Sequence, residues 1–384
     1  MNKDIIAKNL LRLRDYWELT QGEVAKKADI SLPAYRNIEA GESEPKITTL
    51  QNLAKVFDVD YTELLIPQKE LKYVRFRADK TMKKKPQVIS YVAWWLENFN
   101  YLESLLKSPG KTNCIAIDFK TLNKIQNRPI EAAAIARTML GLNEEEPIRD
   151  ICGLLEENAG IKICTKVFNS DKFFGLSVSE RDGGPAIVVN IWNRITVERR
   201  IFSTVHEFGH ILLHLNAYDI SETEENAIEE DEANKFAAYF LMPDEAFKKE
   251  WNANAGLSFV DRILKVKKIF NVSYGTVIYR LTEFFPKKRN DIWSKFYGEY
   301  KTKTGKSLTR IEEPEPLPQD FNNLLTEPDP LSETYFMNNR LAKLVRKALK
   351  KKLITIEKGS DFLNLEVDEM ERLYESWHTN NFEI

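Results

Sequence analysis

Three of the four histidines in this 384-residue chain, His206, His210 and His214, fall within nine consecutive positions. The first two frame His206-Glu207-Phe208-Gly209-His210, an HExxH pattern set among Phe202, Val205, Ile211, Leu212 and Leu215. On a helix, positions i and i+4 share a face, so the two imidazoles converge on one point suited to metal–nitrogen bonds of about 2.0–2.1 Å. Glu207 follows the first imidazole directly and stands beside that point, where a carboxylate can take a proton from a bound water. Without an ion, the same apolar helix would bury two imidazoles and a carboxylate at considerable cost. The spacing therefore predicts a helical zinc site with hydrolytic chemistry, because zinc lowers the pKa of its water from about 15.7 to about 7.

A hydrolytic zinc site needs a third protein ligand and one open position. Glu229-Glu230-Asp231-Glu232 opens the next helical stretch, and periodicity separates these acids. Glu230 shares a face with Ala233, Asn234, Ala237 and Leu241 and is the expected ligand, with Glu229 in reserve; Glu232 groups with Lys235, Phe236 and Tyr239 nearer the edge. Asn234, one turn beyond Glu230, is placed to hydrogen-bond the outer nitrogen of a zinc histidine. Two histidines and one carboxylate suit zinc or manganese. His214 is expected to cap or lie at the surface, with oxyanion stabilisation as its alternative role and Tyr218 and Tyr239 as further candidates for that role. The strand Ala186–Asn190 is a candidate edge for holding an extended substrate segment. Cys114 begins another predicted strand; it reads either as a buried apolar cysteine or as an inhibitory thiolate in the open zinc position.

At roughly 100–200 residues per domain, this length admits two to four domains. A composition of 43% hydrophobic and 30% charged residues excludes disordered and fibrous classes. Apolar stretches such as Tyr91–Leu96 and Ala186–Val189 fall far short of the roughly 20 residues a membrane helix needs. Three cysteines without a CxxC pair fit a reducing compartment, and a cytoplasmic location is expected. A formal charge of −2 gives no bulk attraction to nucleic acid, so any such affinity must be local.

Residues 1–67 read as five short helices. Thr20 and Glu23 make a capping box that opens a helix Gln21–Ala28, Asp29 and Ile30 turn, and Ser31 caps Leu32–Ala40 before Gly41. Leu11, Leu19, Val24, Ala25, Ile30, Tyr35, Ile38, Leu50, Leu53, Phe57 and Leu64 are the expected core. Residues 68–85 hold eight basic side chains against Glu70 and Asp79; the 69–85 run reads as a linker face or a contact to nucleic-acid backbone. A connecting helix Val88–Leu106 closes the 68–112 segment. From 113 to 285 the order is mixed: strands Cys114–Phe119, Ile161–Val167, Gly175–Val178 and Ala186–Asn190, with helices Glu131–Leu140, Ile148–Asn158, Val197–Leu215, Glu224–Met242 and two more over 257–285. That order predicts an α+β domain. Residues 286–384 hold a proline-rich linker (five prolines from Pro314 to Pro330) and a helical segment Phe336–Trp377.

The stretch from Leu19 to Gly41 resembles the Cro/C1 (XRE) helix-turn-helix family. By that resemblance Gln21 touches phosphate and Leu32, Pro33, Arg36 and Asn37 face the major groove, although residues 1–67 carry 9 basic against 11 acidic side chains. Phe202–His214 together with Glu230–Pro243 resembles the ImmA/IrrE zinc metallopeptidases. That likeness implies a zincin-like α+β domain in which His206, His210 and Glu230 hold Zn2+, Glu207 is the catalytic base and Asn234 supports a ligand. It also implies limited proteolysis of a helix-turn-helix repressor in stress, mobile-element or anti-phage control. DNA, a protein substrate and a second copy of the chain are the partners it admits. The rival is a DNA-binding regulator, antitoxin-like in character, whose zinc domain senses a signal and cuts nothing.

Overall fold

Thr20 and Glu23 close a reciprocal cap: the Glu23 amide donates to Thr20 Oγ1, and the Thr20 amide donates to Glu23 Oε2 at 2.7 Å. This opens the second helix of a computed structural model that describes residues 3–17, 19–57, 59–67, 71–78, 85–107, 127–170, 172–214, 218, 226–308 and 331–379. Cys114 with its predicted strand, Leu215, the stretch Pro314–Pro330, and Lys69, Lys80, Lys83 and Lys84 of the basic run lie outside the described residues. The chain divides into two units, residues 1–71 with 81–101 and residues 72–80 with 102–384.

The first unit begins with α1 (Lys3–Tyr16), α2 (Gln21–Lys27), α3 (Leu32–Glu39) and α4 (Ile47–Val56), followed by a 3-10 turn at Glu63–Leu65. Between α2 and α3, Asp29 adopts a left-handed φ of 54°, the Ile30 amide returns to the Ala25 carbonyl, and Ser31 caps α3. Ile6, Leu10 and Leu13 join Val24, Tyr35, Ile38, Leu50 and Leu53 in the core. Leu11, expected inside, is 43% exposed. One residue is about 100° of helical rotation, so a stripe built on Ile6, Leu10 and Leu13 turns Leu11 outward. The next helix, α5 (Lys85–Leu105), buries Val88, Val92, Trp95, Phe99 and Leu102 at helical spacing.

The second unit is built on a four-stranded sheet of β1 (Val74–Ala78), β2 (Lys162–Lys166), β3 (Phe173–Val178) and β4 (Ala186–Asn190), in the order β1-β3-β4-β2. β1 corrects the linker reading of the basic run: Arg75 and Arg77 alternate with Val74 and Phe76, a period-two pattern that the charge conceals. β4 is corrected as well. It pairs antiparallel with β3 and parallel with β2, so both its sides are taken and it offers no edge to a substrate.

Around the sheet lie α6 (Arg128–Met139), α7 (Val197–Leu213), α8 (Ala227–Leu241), α9 (Asp244–Ala253), α10 (Phe259–Phe270), α11 (Tyr274–Phe284) and α12 (Arg289–Thr304). The expected helix Ile148–Asn158 starts three residues later, as an α-helical turn Ile151–Gly153 that continues directly into a π-helical turn Leu154–Asn158. The C-terminal helical segment consists of α13 (Arg340–Lys350), α14 (Ile356–Leu363) and α15 (Val367–Thr379), separated where Lys352 and Asn364 take positive φ. No helix among the described residues is long and apolar enough to cross a membrane.

The contact that positions the site is α7 against α8. Phe208 packs edge-on against Phe236 and Phe240, with ring centroids 5.7 Å apart in each case. Beside it, Gly209 leaves the room that Phe236 occupies, since a Cβ there would stand 2.9 Å from the Phe236 ring. Glycine in HEFGH thus sets how closely α8 approaches the histidine helix.

Candidate metal centre

Seventeen residues of α7 run from the Thr196 cap through the HExxH segment, and the helix is buried on nearly every side. α8 starts at the Asn226 cap and brings Glu230 across from it. Among the described residues, His206, His210 and Glu230 form the one group able to hold a metal ion, with donor atoms all within 4.8 Å. His206 Nε2 and His210 Nε2 are 3.0 Å apart, and the Glu230 carboxylate oxygens lie 3.3 and 3.2 Å from them. Ligands about 2.0–2.1 Å from a tetrahedral ion are separated by roughly 3.3–3.4 Å, so the triangle is close to that size.

Outer partners decide which atoms of these rings carry protons. Asn234 Oδ1 lies 3.0 Å from His206 Nδ1 and, as an acceptor, keeps the ring proton on that nitrogen. His210 Nδ1 lies 2.8 Å from His214 Nδ1, while His214 Nε2 lies 2.9 Å from Glu232 Oε2. Burial pushes His210 well below the ordinary 6.5 and lowers His214 too, so both rings are neutral near pH 7. Neutral His214 then gives its one proton to Glu232 and accepts the Nδ1–H of His210. Two Nε2 lone pairs and a carboxylate thus face one another, an arrangement that suits a cation. His214 is the C-cap of α7, as expected, but the surface alternative is corrected: it is 5% exposed and sits between a candidate ligand and a carboxylate. Arg128 lies 3.9 Å from Glu232 and also donates to the Leu213 carbonyl at the end of α7.

The candidate base is held from the sheet. Tyr218 donates to Ser177 Oγ at 2.9 Å, and Ser177 donates to Glu207 Oε2 at 2.7 Å. Burial raises the Tyr218 pKa and keeps its hydroxyl protonated. Tyr239 stands elsewhere, with the Arg280 guanidinium 3.5 Å above its ring. Glu229, the reserve ligand, takes Arg75 of β1, which also reaches Glu230 Oε1 at 3.2 Å. Ser177, Arg75 and the Glu232–His214 relay escaped the sequence reading. Only the serine left a signal, as a polar residue within the apolar strand FFGLSV.

In the first unit, Pro33, Arg36 and Asn37 are exposed on α3, while Leu32 is half-buried against the core. Arg36 Nε donates to Gln21 Oε1 at 3.3 Å, and Gln21 Nε2 donates to Glu39 Oε2 at 2.5 Å. Glu39 also accepts from Arg14 and from the Tyr35 hydroxyl, so α3 is tied to α1 and α2.

Comparison with known proteins bears on both units. Residues 18–64 match the helix-turn-helix family, and residues 156–282 match the IrrE N-terminal-like domain of peptidase family M78. The uncharacterized HTH-type transcriptional regulator YqaE of Bacillus subtilis (strain 168) is 33% identical over 78 residues, 20% of this chain and 67% of that protein. The chain is a helix-turn-helix regulator fused to an IrrE-like domain. A solved Mycobacterium tuberculosis transcriptional regulator is 17% identical over 48% of this chain, with a TM-score of 0.28; the match spans about half (51%) of that regulator. The M78 match covers α7, α8 and the sheet strands β2, β3 and β4, but not β1. This regulator therefore brings a metallopeptidase-like domain and a DNA-binding domain together in one chain.

Proposed function

We propose that the chain is a zinc endopeptidase that relieves transcriptional repression by limited cleavage of a helix-turn-helix repressor. The observation that carries this reading is the convergence of His206 Nε2, His210 Nε2 and Glu230 on one point, with Glu207 following His206 in the same helix. His206, His210 and Glu230 would hold the ion. When bound, zinc supplies a water acidic enough to ionise near neutral pH and a Lewis acid for the scissile carbonyl. Glu207 takes the water's proton and later delivers it to the leaving amine. Ser177 orients Glu207 by donating to Oε2. Asn234 and the Glu232–His214 pair hold the ligand rings in the tautomer that offers Nε2.

DNA contact through Gln21, Arg36, Asn37 and Pro33 on the first unit would bring the peptidase to an operator. With Leu32 half-buried, Arg36 and Asn37 are the side chains best able to reach base edges. The test is Glu207→Gln in the full chain. It should retain one zinc per chain while abolishing cleavage of a helix-turn-helix protein encoded beside it, together with the transcriptional response. An unchanged response with zinc still bound overturns proteolysis in favour of the DNA-binding regulator that senses without cutting.

A further inference from the structure

An extended peptide hydrolysed at this site must lie along the strand nearest Glu207, and that strand is β3. Ser177 of β3 donates to Glu207, and a Cβ added at Gly175 would stand 3.5 Å from Glu207 Cγ. One side of β3 is paired with β4; the other is covered by β1, antiparallel, with Val74 opposite Val178 and Arg75 opposite Ser177. Residues directly opposite in an antiparallel pair point to the same face. Arg75 therefore shares the face on which Ser177 meets the candidate base, and its guanidinium ends on Glu229 and Glu230.

We propose that β1 occupies the place of a substrate strand, and that the substrate is an extended segment presenting an arginine opposite Ser177 and received by Glu229. This inference rests on the peptidase reading above. Strand addition at a sheet edge supplies main-chain hydrogen bonds that any sequence can make, while the pockets facing alternate side chains confer selectivity. Here the facing acceptor is a carboxylate beside the metal site, which selects a cation, and an arginine fork can engage two carboxylates at once. Residues 72–80 leave the first unit, lend one strand to the sheet of the second, and return to the first. Cleavage at this site requires β1 to withdraw.

The test measures binding of a fluorescein-labelled peptide of residues 71–80 to the zinc-loaded full chain by anisotropy. Arg75→Gln in the chain loosens β1 and should tighten binding at least tenfold over wild type. The same peptide with Arg75→Gln, Arg77 being kept, should lose at least tenfold. A Val74→Cys/Val178→Cys pair, adjacent across the ladder, should abolish binding and cleavage when oxidised and restore both when reduced, so each preparation is its own folding control. Equal affinity for the arginine and glutamine peptides, or equal binding by the locked and reduced chains, overturns the proposal. Cleavage undiminished by the lock overturns it while leaving the peptidase reading intact. The expected binding pattern without cleavage in any state supports the strand site and removes the peptidase reading.

Discussion

Gly209→Ala tests whether the spacing of α7 and α8 sets the ligand triangle. The added methyl would stand 2.9 Å from Phe236 Cδ1, 3.2 Å from Cγ and 3.4 Å from Cβ, against an ordinary carbon–carbon contact of about 3.5–4.0 Å. Phe236 cannot simply turn away, because Phe208 meets it edge-on and Phe240 stacks on it with centroids 5.6 Å apart. The helices must part by roughly half an ångström or more. Overpacking of this kind costs about 1–3 kcal/mol, and replacing glycine by alanine within a helix returns about 1. The net effect is a loss of about 0–2 kcal/mol, visible as a fall of a few degrees in melting temperature. The larger effect falls on the metal: as α8 moves out it carries Glu230 from the two imidazoles, and zinc affinity should drop at least tenfold in a chelator competition titration. A chain that melts no lower than wild type and binds zinc as tightly would refute the argument, since α8 would then be free to settle without disturbing Glu230.

His214→Ala removes the acceptor that keeps the His210 proton on Nδ1; zinc affinity should fall about 10–100-fold with little change in helix content by circular dichroism. Zinc at a hundredfold excess over its dissociation constant should stabilise wild type by about 2.7 kcal/mol, read as a rise in melting temperature that His210→Ala lacks. Burial raises the pKa of Glu156 to about 7, against the opposing pull of the Asn339 and Arg340 amides that donate to its Oε2. A carboxyl with a raised folded-state pKa favours folding when protonated. Its contribution is full below about 4.5, fades as pH climbs to about 7, and is worth on the order of 3 kcal/mol. Glu156→Gln should therefore flatten the decline in thermal stability between pH 5 and 7, and an unaltered slope would count against this assignment.

Much of the site was legible because its parts are local. His206, Glu207 and His210 belong to one helical turn, and Glu230 and Asn234 to another, so a repeat of 3.6 residues is enough to place each set on a face. The same holds for the helix-turn-helix unit, where Thr20, Glu23, Asp29 and Ser31 spell out caps and a turn in order. Where an apolar stripe left two registers open, as with Leu10 and Leu11, the sequence reading chose the wrong one. Distances between segments are a different matter. His214 reads as peripheral until Glu232 of α8 is brought 2.9 Å from it. Arg75 reads as one charge in a basic run until β1 pairs with a strand about a hundred residues later. Nor does the composition of Ala186–Asn190 reveal that it is a central strand, since buried edges and buried centres are equally apolar. The sequence alone determined the candidate site residues and their helical bearings, because hydrogen bonds to near neighbours dictate local conformation. Which strand lies beside the candidate base, and which side chains meet the candidate ligands, was decided by tertiary packing, because those contacts exist only once distant segments share a sheet or a helix interface.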